Sequence, residues 1–214
     1  DARRLLLTKD LSTNLYANLR LATMHALRNE VSVASNYVDA ALVIDPLDFG
    51  ARLFEGALNI WNGQYDRAVL SFRIASERRP NSASLHTNLA VAYIKLGRRD
   101  KAIKSLKMAV AIDPFSLNAL TLQADLANAL DQSEDAIPSL RYYLRFEQKQ
   151  HGVWARLARA LLKIGETSEA IAATKRQASL IDDSDSWNNL GIAYYAKGDL
   201  QKAVESFKHA MELS

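Results

Sequence analysis

The chain contains no cysteine in 214 residues, which excludes structural disulfides and thiolate metal sites and leaves the redox compartment unmarked. Proline and glycine are scarce, at four and eight, and no glycine-rich loop of the kind that cradles phosphates is present. No apolar run approaches the ~18 residues that cross a bilayer, and the opening Asp1-Ala2-Arg3-Arg4-Leu5-Leu6-Leu7 is too short for a secretion signal. The chain therefore reads as soluble; a cytoplasmic setting is slightly favoured, a periplasmic one stays open, and the compartment is undetermined. Charge of one sign is also lacking. Lys+Arg 27 against Asp+Glu 24 gives +3, too small a bias to argue for nucleic acid.

What is present is periodicity. Ala34, Ala68, Ala102, Ala136, Ala170 and Ala203 recur at one even step, shortened only at the last interval, and Ala22, Gly56, Ala90, Ala124, Ala158 and Gly191 keep the same step. Such self-similarity marks a repeat array that buries apolar surface between neighbouring units, and each small residue marks a point where backbones should come close. Pro46, Pro80 and Pro114 share the step and follow apolar helical runs that they cannot continue. Midway between come Asn29, Gly63, Gly97, Asp131, Gly165 and Gly198, residue types that tolerate the left-handed conformation at a helix end.

Each unit is thus helix, turn, helix, with units at 15–48, 49–82, 83–116, 117–150, 151–183 and 184–214, and residues 1–14 as a leading helix or cap. Trp187, Leu190, Gly191, Tyr194, Gly198, Ala203, Phe207 and Ala210 quote a known pattern nearly whole, and on these residues the chain resembles the tetratricopeptide repeat family. The resemblance implies an all-α, right-handed superhelical solenoid of antiparallel helix pairs whose first helices line a concave face. The missing methionine, and a final Ser214 just short of a closing proline, lead to the expectation of a larger parent protein or a cleaved leader.

Two units depart from the pattern. The fourth has Tyr143 where the others mostly have alanine, Gln148 in place of proline, and Pro138 about a turn into its second helix, where a lost hydrogen bond should bend the backbone. The fifth carries Thr174 and Gln177 at apolar or small positions, and its missing residue falls within Ser179 to Ser184, which predicts a tighter junction.

No constellation carries chemistry. His25, His86, His151 and His209 are scattered over four units without a partner at metal spacing; His25 and His86 take positions where the repeat packs an aromatic. The carboxylates belong to turns and outer faces. No catalytic, cofactor-binding or metal residue is assigned, and the chain is read as non-enzymatic.

Recognition is the expected work. In units two and three the groove positions hold Leu53, Phe54, Ile60, Trp61, Asn88, Val91 and Ile94, an apolar stretch that adjoins the packing stripe. In unit five Arg156, Arg159 and Lys163 stack on one side of a helix, and unit six adds Asn188, Asn189 and Tyr195; an acidic or C-terminal carboxylate ligand would suit them, with a solvated basic face as the alternative. Two modes known in the family do not fit. The clamp that grips a chaperone tail needs lysine, asparagine and arginine where Leu19, Thr23, Phe54, Ser84 and Asn88 stand, and the asparagine ladder of sugar-transferase relatives is represented only by Asn88 and Asn189 among Arg20, Phe54, Leu122 and Arg156.

The sequence therefore predicts a scaffold that binds a peptide segment or partner helix in a concave groove. Affinity would come from Leu53, Ile60, Val91 and Ile94, and orientation from Arg156, Arg159, Asn188 and Asn189. The alternative is a regulatory or targeting arm of an enzyme or of a larger bacterial assembly or secretion machine. A third reading puts nucleic acid on Arg98, Arg99, Lys101, Lys104 and Lys107, although Asp100 interrupts that run and no aromatics interleave it. End units of a solenoid expose apolar surface unless capped, so self-association is also open.

Overall fold

The computed structural model describes residues 14–214, and the leading segment foreseen at 1–14 lies, but for its last residue, outside them. The described residues fall into two compact units that divide at Ile112 and Asp113. The first contains α1 (Leu15–Leu27), α2 (Val31–Ile44), α3 (Phe49–Trp61), α4 (Tyr65–Arg78), α5 (Ala83–Lys95) and α6 (Arg99–Ile112). The second contains α7 (Leu117–Ala129), a 3-10 helix (Ser133–Ala136), α8 (Ile137–Leu144), α9 (His151–Lys163), α10 (Thr167–Leu180), α11 (Ser184–Lys197) and α12 (Leu200–Glu212). No strand occurs among the described residues. The protein is all-α, and within each unit consecutive helices pair and the pairs stack on one another.

The turn inside each pair reverses the chain in the same way every time. Asn29, Gly63, Gly97, Asp131, Gly165 and Gly198 all have positive φ, between 55° and 85°. A Cβ in this region costs on the order of 1 kcal/mol, which asparagine and aspartate tolerate best among residues that have one. After the turn, the alanines of the first ladder are at most 2% exposed, so the two helices of a pair meet on a side chain that cannot hold them apart.

The second ladder has a sharper meaning than close backbones. A Cβ added at Gly56 would lie 2.3–2.6 Å from the ring of Phe72, and one at Gly191 would lie 2.5–2.9 Å from that of Phe207. The two glycines stand at the same sequence offset from their rings. At that offset Ala22 is followed by Val38, Ala90 by Leu106, Ala124 by Leu140 and Ala158 by Thr174. The chain uses glycine where the second helix supplies a phenylalanine and alanine where it supplies something smaller, so a methyl group stands only where no ring takes its space. Phe72 is fully buried and joins Val69, Leu85 and Leu89 in the core of the first unit. In the second unit Leu120, Leu140, Leu157 and Leu161 form the larger cluster, and Ile171, Leu190 and Tyr194 continue the packing.

Loops between pairs are closed by two recurring devices. Asn14, Asp48, Ser82 and Asp183 cap the first helix of their pairs by accepting from the backbone amides of Ala17, Ala51, Leu85 and Ser186, at 2.8–3.3 Å. A turn further along that helix, Arg52, His86 and Trp154 donate back to the carbonyls of Pro46, Pro80 and Gln148 at 2.6–2.9 Å. Trp187 in the same place donates to the Asp182 carboxylate. His86 is therefore a loop-fastening residue. His25 stacks on Tyr37 with ring centroids 5.3 Å apart and pairs with Glu30.

The expected irregularity at Pro138 takes a different form from a bend. The second helix of that pair is split into the 3-10 turn and the short α8, with Pro138 in the first turn of the latter. There the missing amide hydrogen needs no acceptor, so the chain restarts its helix at the proline. The connection after α8 lengthens to residues 145–150, against 45–48, 79–82 and 113–116 elsewhere. The deletion downstream shortens the α10–α11 connection to 181–183. At that junction Thr174 is fully buried and donates to the carbonyls of Ala170 and Ile171. The buried Gln177 donates to the Ser186 hydroxyl and accepts from Asn189.

Two measurements check this account. Gly56→Ala should destabilise the protein by roughly 1–3 kcal/mol despite alanine's better helix propensity, and adding Phe72→Leu should recover most of that loss. In urea unfolding the pair should show a coupling of at least about 1 kcal/mol; additive effects would show that the ring does not set the size of residue 56. The Asp183 carboxyl is held below its ordinary 3.8 by hydrogen bonds from the Ser186 hydroxyl and amide. A depressed carboxyl contributes stability that is present above its unfolded value and lost as pH falls through the folded one. Acid titration below about pH 4 should thus loosen the start of α11, and Asp183→Asn should flatten that part of the pH profile.

Candidate functional site

The residues singled out for recognition do not share one fate. In the first unit Leu53 and Ile60 are half-buried and pack against the cluster of Phe72, Leu85 and Leu89, so part of their surface is committed to holding α3, α4 and α5 together. Asn88, Val91 and Ile94 on α5 are half-buried as well. Trp61, next to Ile60 at the end of α3, is 68% exposed.

In the second unit the basic stripe of α9 is largely occupied by the preceding pair. Arg156 forms two parallel hydrogen bonds to the Asp125 carboxylate on α7, 3.0 Å from Nε and 2.8 Å from Nη2, and its Nη1 donates to the Gly152 carbonyl at 3.1 Å. Lys163 donates to the Asn128 carbonyl at 2.9 Å and to the Asp131 carboxylate. That contact holds the Asp131 carboxyl below its ordinary value and fastens the end of α7. At 100° per residue Arg156 and Lys163 are about 20° apart on the helix, whereas Arg159 lies about 60° round from Arg156. Arg159 is exposed and has no acidic partner among the described residues.

On α11 the two asparagines also separate. Asn189 donates to Gln177 at 3.3 Å and belongs to the α10–α11 packing. Asn188 is exposed, and beyond it along the helix stand Ile192 and Tyr195, 43% and 66% exposed. What α9 and α11 leave available is therefore Arg159, Asn188, Ile192 and Tyr195: one cation, an amide, an aliphatic side chain and a phenol on adjacent helices. Ile192 was not foreseen; it falls one helical turn after Asn188, which is the signal that could have found it.

The other basic run is engaged at several points. Arg98 pairs with Asp66 at 2.9 Å, and Lys101 lies over the Tyr93 ring at 5.8 Å. Among the described residues no three His, Asp or Glu side chains are placed to hold a metal ion, and no helix is long and apolar enough to cross a membrane. A polar cleft of about 500 Å3 between α2, α3 and α4 is lined by Asp39, Arg52, Glu55 and Asn59, among others. There burial, with Glu55 nearby, raises the Asp39 carboxyl above its ordinary value, and Arg52 pairs with Glu55 at 2.8 Å.

Comparison with known proteins agrees with this architecture. Models of the tetratricopeptide repeat match residues 60–126 and 184–214. The general transcriptional corepressor trfA of Dictyostelium discoideum is 27% identical over 143 residues, 65% of this chain and 10% of that protein. The Vi polysaccharide export protein VexE of Salmonella typhi is 26% identical over 155 residues, 70% of this chain and 24% of that protein. The chain thus spans a quarter or less of the length of these relatives. Among solved structures, MamA superposes with a TM-score of 0.69 at 24% identity, covering 77% of this chain and 90% of MamA. YrrB, described as a protein of the same repeat with an unusual peptide-binding site, gives 0.72 at 16% identity over 83% and 92%. These two likenesses bear on the fold alone.

The division of labour on α9 can be measured directly. Arg156→Ala should lower the stability of the array by about 0.5–1 kcal/mol, with most of the loss coupled to Asp125 in a double-mutant cycle. Arg159→Ala should leave the unfolding midpoint unchanged. Equal losses from both would mean that Arg159 also serves the fold.

Proposed function

Because this chain belongs to the tetratricopeptide repeat family, a family of protein-interaction scaffolds, we propose that it holds an extended peptide segment or a partner helix against the exposed face of its first helices. One observation carries the reading. Once Arg156, Lys163 and Asn189 are occupied by the protein's own groups, Arg159, Asn188, Ile192 and Tyr195 remain exposed on neighbouring helices. Arginine fits a carboxylate with two parallel hydrogen bonds, an asparagine amide suits a peptide backbone, and Ile192 with the Tyr195 ring offers apolar area that costs little entropy to order. The favoured ligand thus carries an acidic side chain or a C-terminal carboxylate. In the first unit Trp61, Val91 and Ile94, with the outer parts of Leu53 and Ile60 and the amide of Asn88, would give an apolar stretch for a partner's hydrophobic side chains.

A second reading, a recognition arm within a larger export or assembly machine, is favoured by the similarity to VexE, an export protein of which this chain matches only about a quarter. The two readings are compatible, since an arm of this kind would act through the same face.

A random peptide library selected on the wild-type array should yield sequences enriched in aspartate, glutamate or a free C-terminal carboxylate. Their affinity should fall at least about tenfold on Arg159→Glu, a loss of about 1.4 kcal/mol, while the thermal unfolding curve stays in place. Peptides that bind the variant as tightly as the wild type would overturn the assignment.

A further inference from the structure

A second cleft lies on another side of α11. It has a volume of about 550 Å3, runs between α10 and α12, and is floored by Trp187, Leu190 and Tyr194. Lys175 from α10 and Lys202 from α12 reach over the same Tyr194 ring, with their ammonium nitrogens 5.7 and 5.6 Å from its centre, and Lys202 also donates to the Asp199 carboxylate at 2.7 Å. The Trp187 indole is held edge-on by His209, with ring centroids 4.3 Å apart, and by its hydrogen bond to Asp182. Glu205 is the one carboxylate in the lining, and it accepts a hydrogen bond from Gln201.

The polar cleft in the first unit shows that packing does not require such a lining. It occupies the same place in its helix pairs, and its lining positions correspond to these through the repeat. Where the second unit has Lys175, Trp187, Leu190 and Tyr194, the first has Asp39, Arg52, Glu55 and Asn59. The repeat thus folds with an aspartate, an arginine, a glutamate and an asparagine in these positions, and with Arg67 where Lys202 stands, so what is particular to the second unit is Lys175 together with an apolar and aromatic floor. Lys175 has no acidic partner among the described residues, and Lys202 keeps N–H donors beyond the one it gives to Asp199, so an anion brought to the Tyr194 ring can be met by both ammonium groups. The floor below would bury an apolar side chain next to that anion.

We propose that the cleft between α10 and α12 is a second recognition site, taking a peptide segment in which an aspartate or glutamate stands beside an aliphatic or aromatic residue. The carboxylate accepts from Lys175 and Lys202, and the apolar neighbour rests on Trp187 and Leu190. The site is separate from the Arg159 face, so a partner engaged there leaves it accessible.

The probe is the peptide acetyl-Ser-Asp-Leu-Phe-Asp-amide, with acetyl-Ser-Lys-Leu-Phe-Lys-amide as its basic counterpart. Each is titrated into the isotopically labelled full chain, and the Trp187 indole resonance, identified by its loss in Trp187→Phe, is followed. The acidic peptide should shift that resonance saturably, and the basic one should not. Affinity should drop at least tenfold in Lys175→Gln/Lys202→Gln, whose thermal unfolding should match the wild type, and should be unchanged in Arg159→Glu. Lys175→Glu/Lys202→Glu should take up the basic peptide instead. No saturable shift at millimolar acidic peptide, an undiminished shift in the double glutamine variant, or a shift abolished by Arg159→Glu would each overturn the proposal.

Discussion

The helix pairs of this protein turn on a steric agreement, seen most sharply at Gly56 and Gly191, between a small first-helix residue and the side chain set against it on the second helix. The ring of Phe72 lies where a Cβ on residue 56 would have to be, and the ring of Phe207 does the same at residue 191. Because an interior packed like a crystal gives little when a methyl group is added, the size of one residue dictates that of the other. Glycine in the middle of a helix costs about 0.5–1 kcal/mol against alanine, and the added apolar area of a buried phenylalanine works against that cost. At the same offset Ala90 and Leu106, and Ala124 and Leu140, are all buried without the glycine. The left-handed turns then need only return the chain so that this contact can form.

The parts of the fold that repeat were legible for that reason. An identical contact made in each pair writes the same residue type at the same step, and the alanine and turn ladders are that writing. The capping residues Asn14, Asp48, Ser82 and Asp183 follow the same step, as do the loop fasteners Arg52, His86 and Trp154. Both ladders are less obvious because chemically different side chains perform one task, an arginine, a histidine and a tryptophan all serving as N–H donors. Reading them needs the hydrogen-bonding capacity of each residue, which similarity of type obscures.

The recognition face was less legible because a single helix reveals its stripe but not what the neighbouring helix sets against it. Arg156 and Lys163 looked like unopposed cations until α7 brought Asp125 and Asp131 beside them. The sequence separations of these two pairs are 31 and 32, and that of Asp66 and Arg98 is also 32. Ion pairs between successive pairs of helices thus fall slightly short of the repeat step, because a side chain in one pair meets a position up to about a turn earlier than its own equivalent in the next. Searching a little less than one repeat back would have withdrawn two of the three cations from the candidate site. The buried Thr174, Gln177 and Ser186, with the half-buried Asn189, escaped for a related reason, since Gln177 bonds both Ser186 and Asn189 across two helices, and Thr174 bonds its own helix's carbonyls.

Those internal pairings decide where binding surface remains. A stacked array tends to pair the polar groups set between its helix pairs, and at Arg156, Lys163 and Asn189 it does so with residues that would otherwise belong to the open face. What is left over is not random in composition. In the second unit it comprises an arginine on α9 with an asparagine, an isoleucine and a tyrosine on the adjacent α11, and on another side of α11 a tryptophan and a tyrosine beside Lys175 and the Asp199-paired Lys202. The equivalent cleft in the first unit is lined by Asp39, Arg52, Glu55 and Asn59 and holds an ion pair of its own at 2.8 Å. Since the steric fit between paired helices is met in both units, it does not choose between these linings. Positions outside that fit are therefore where repeats of one architecture can differ in what they bind, and the contrast between the two clefts places one such difference on the surface formed by α10, α11 and α12.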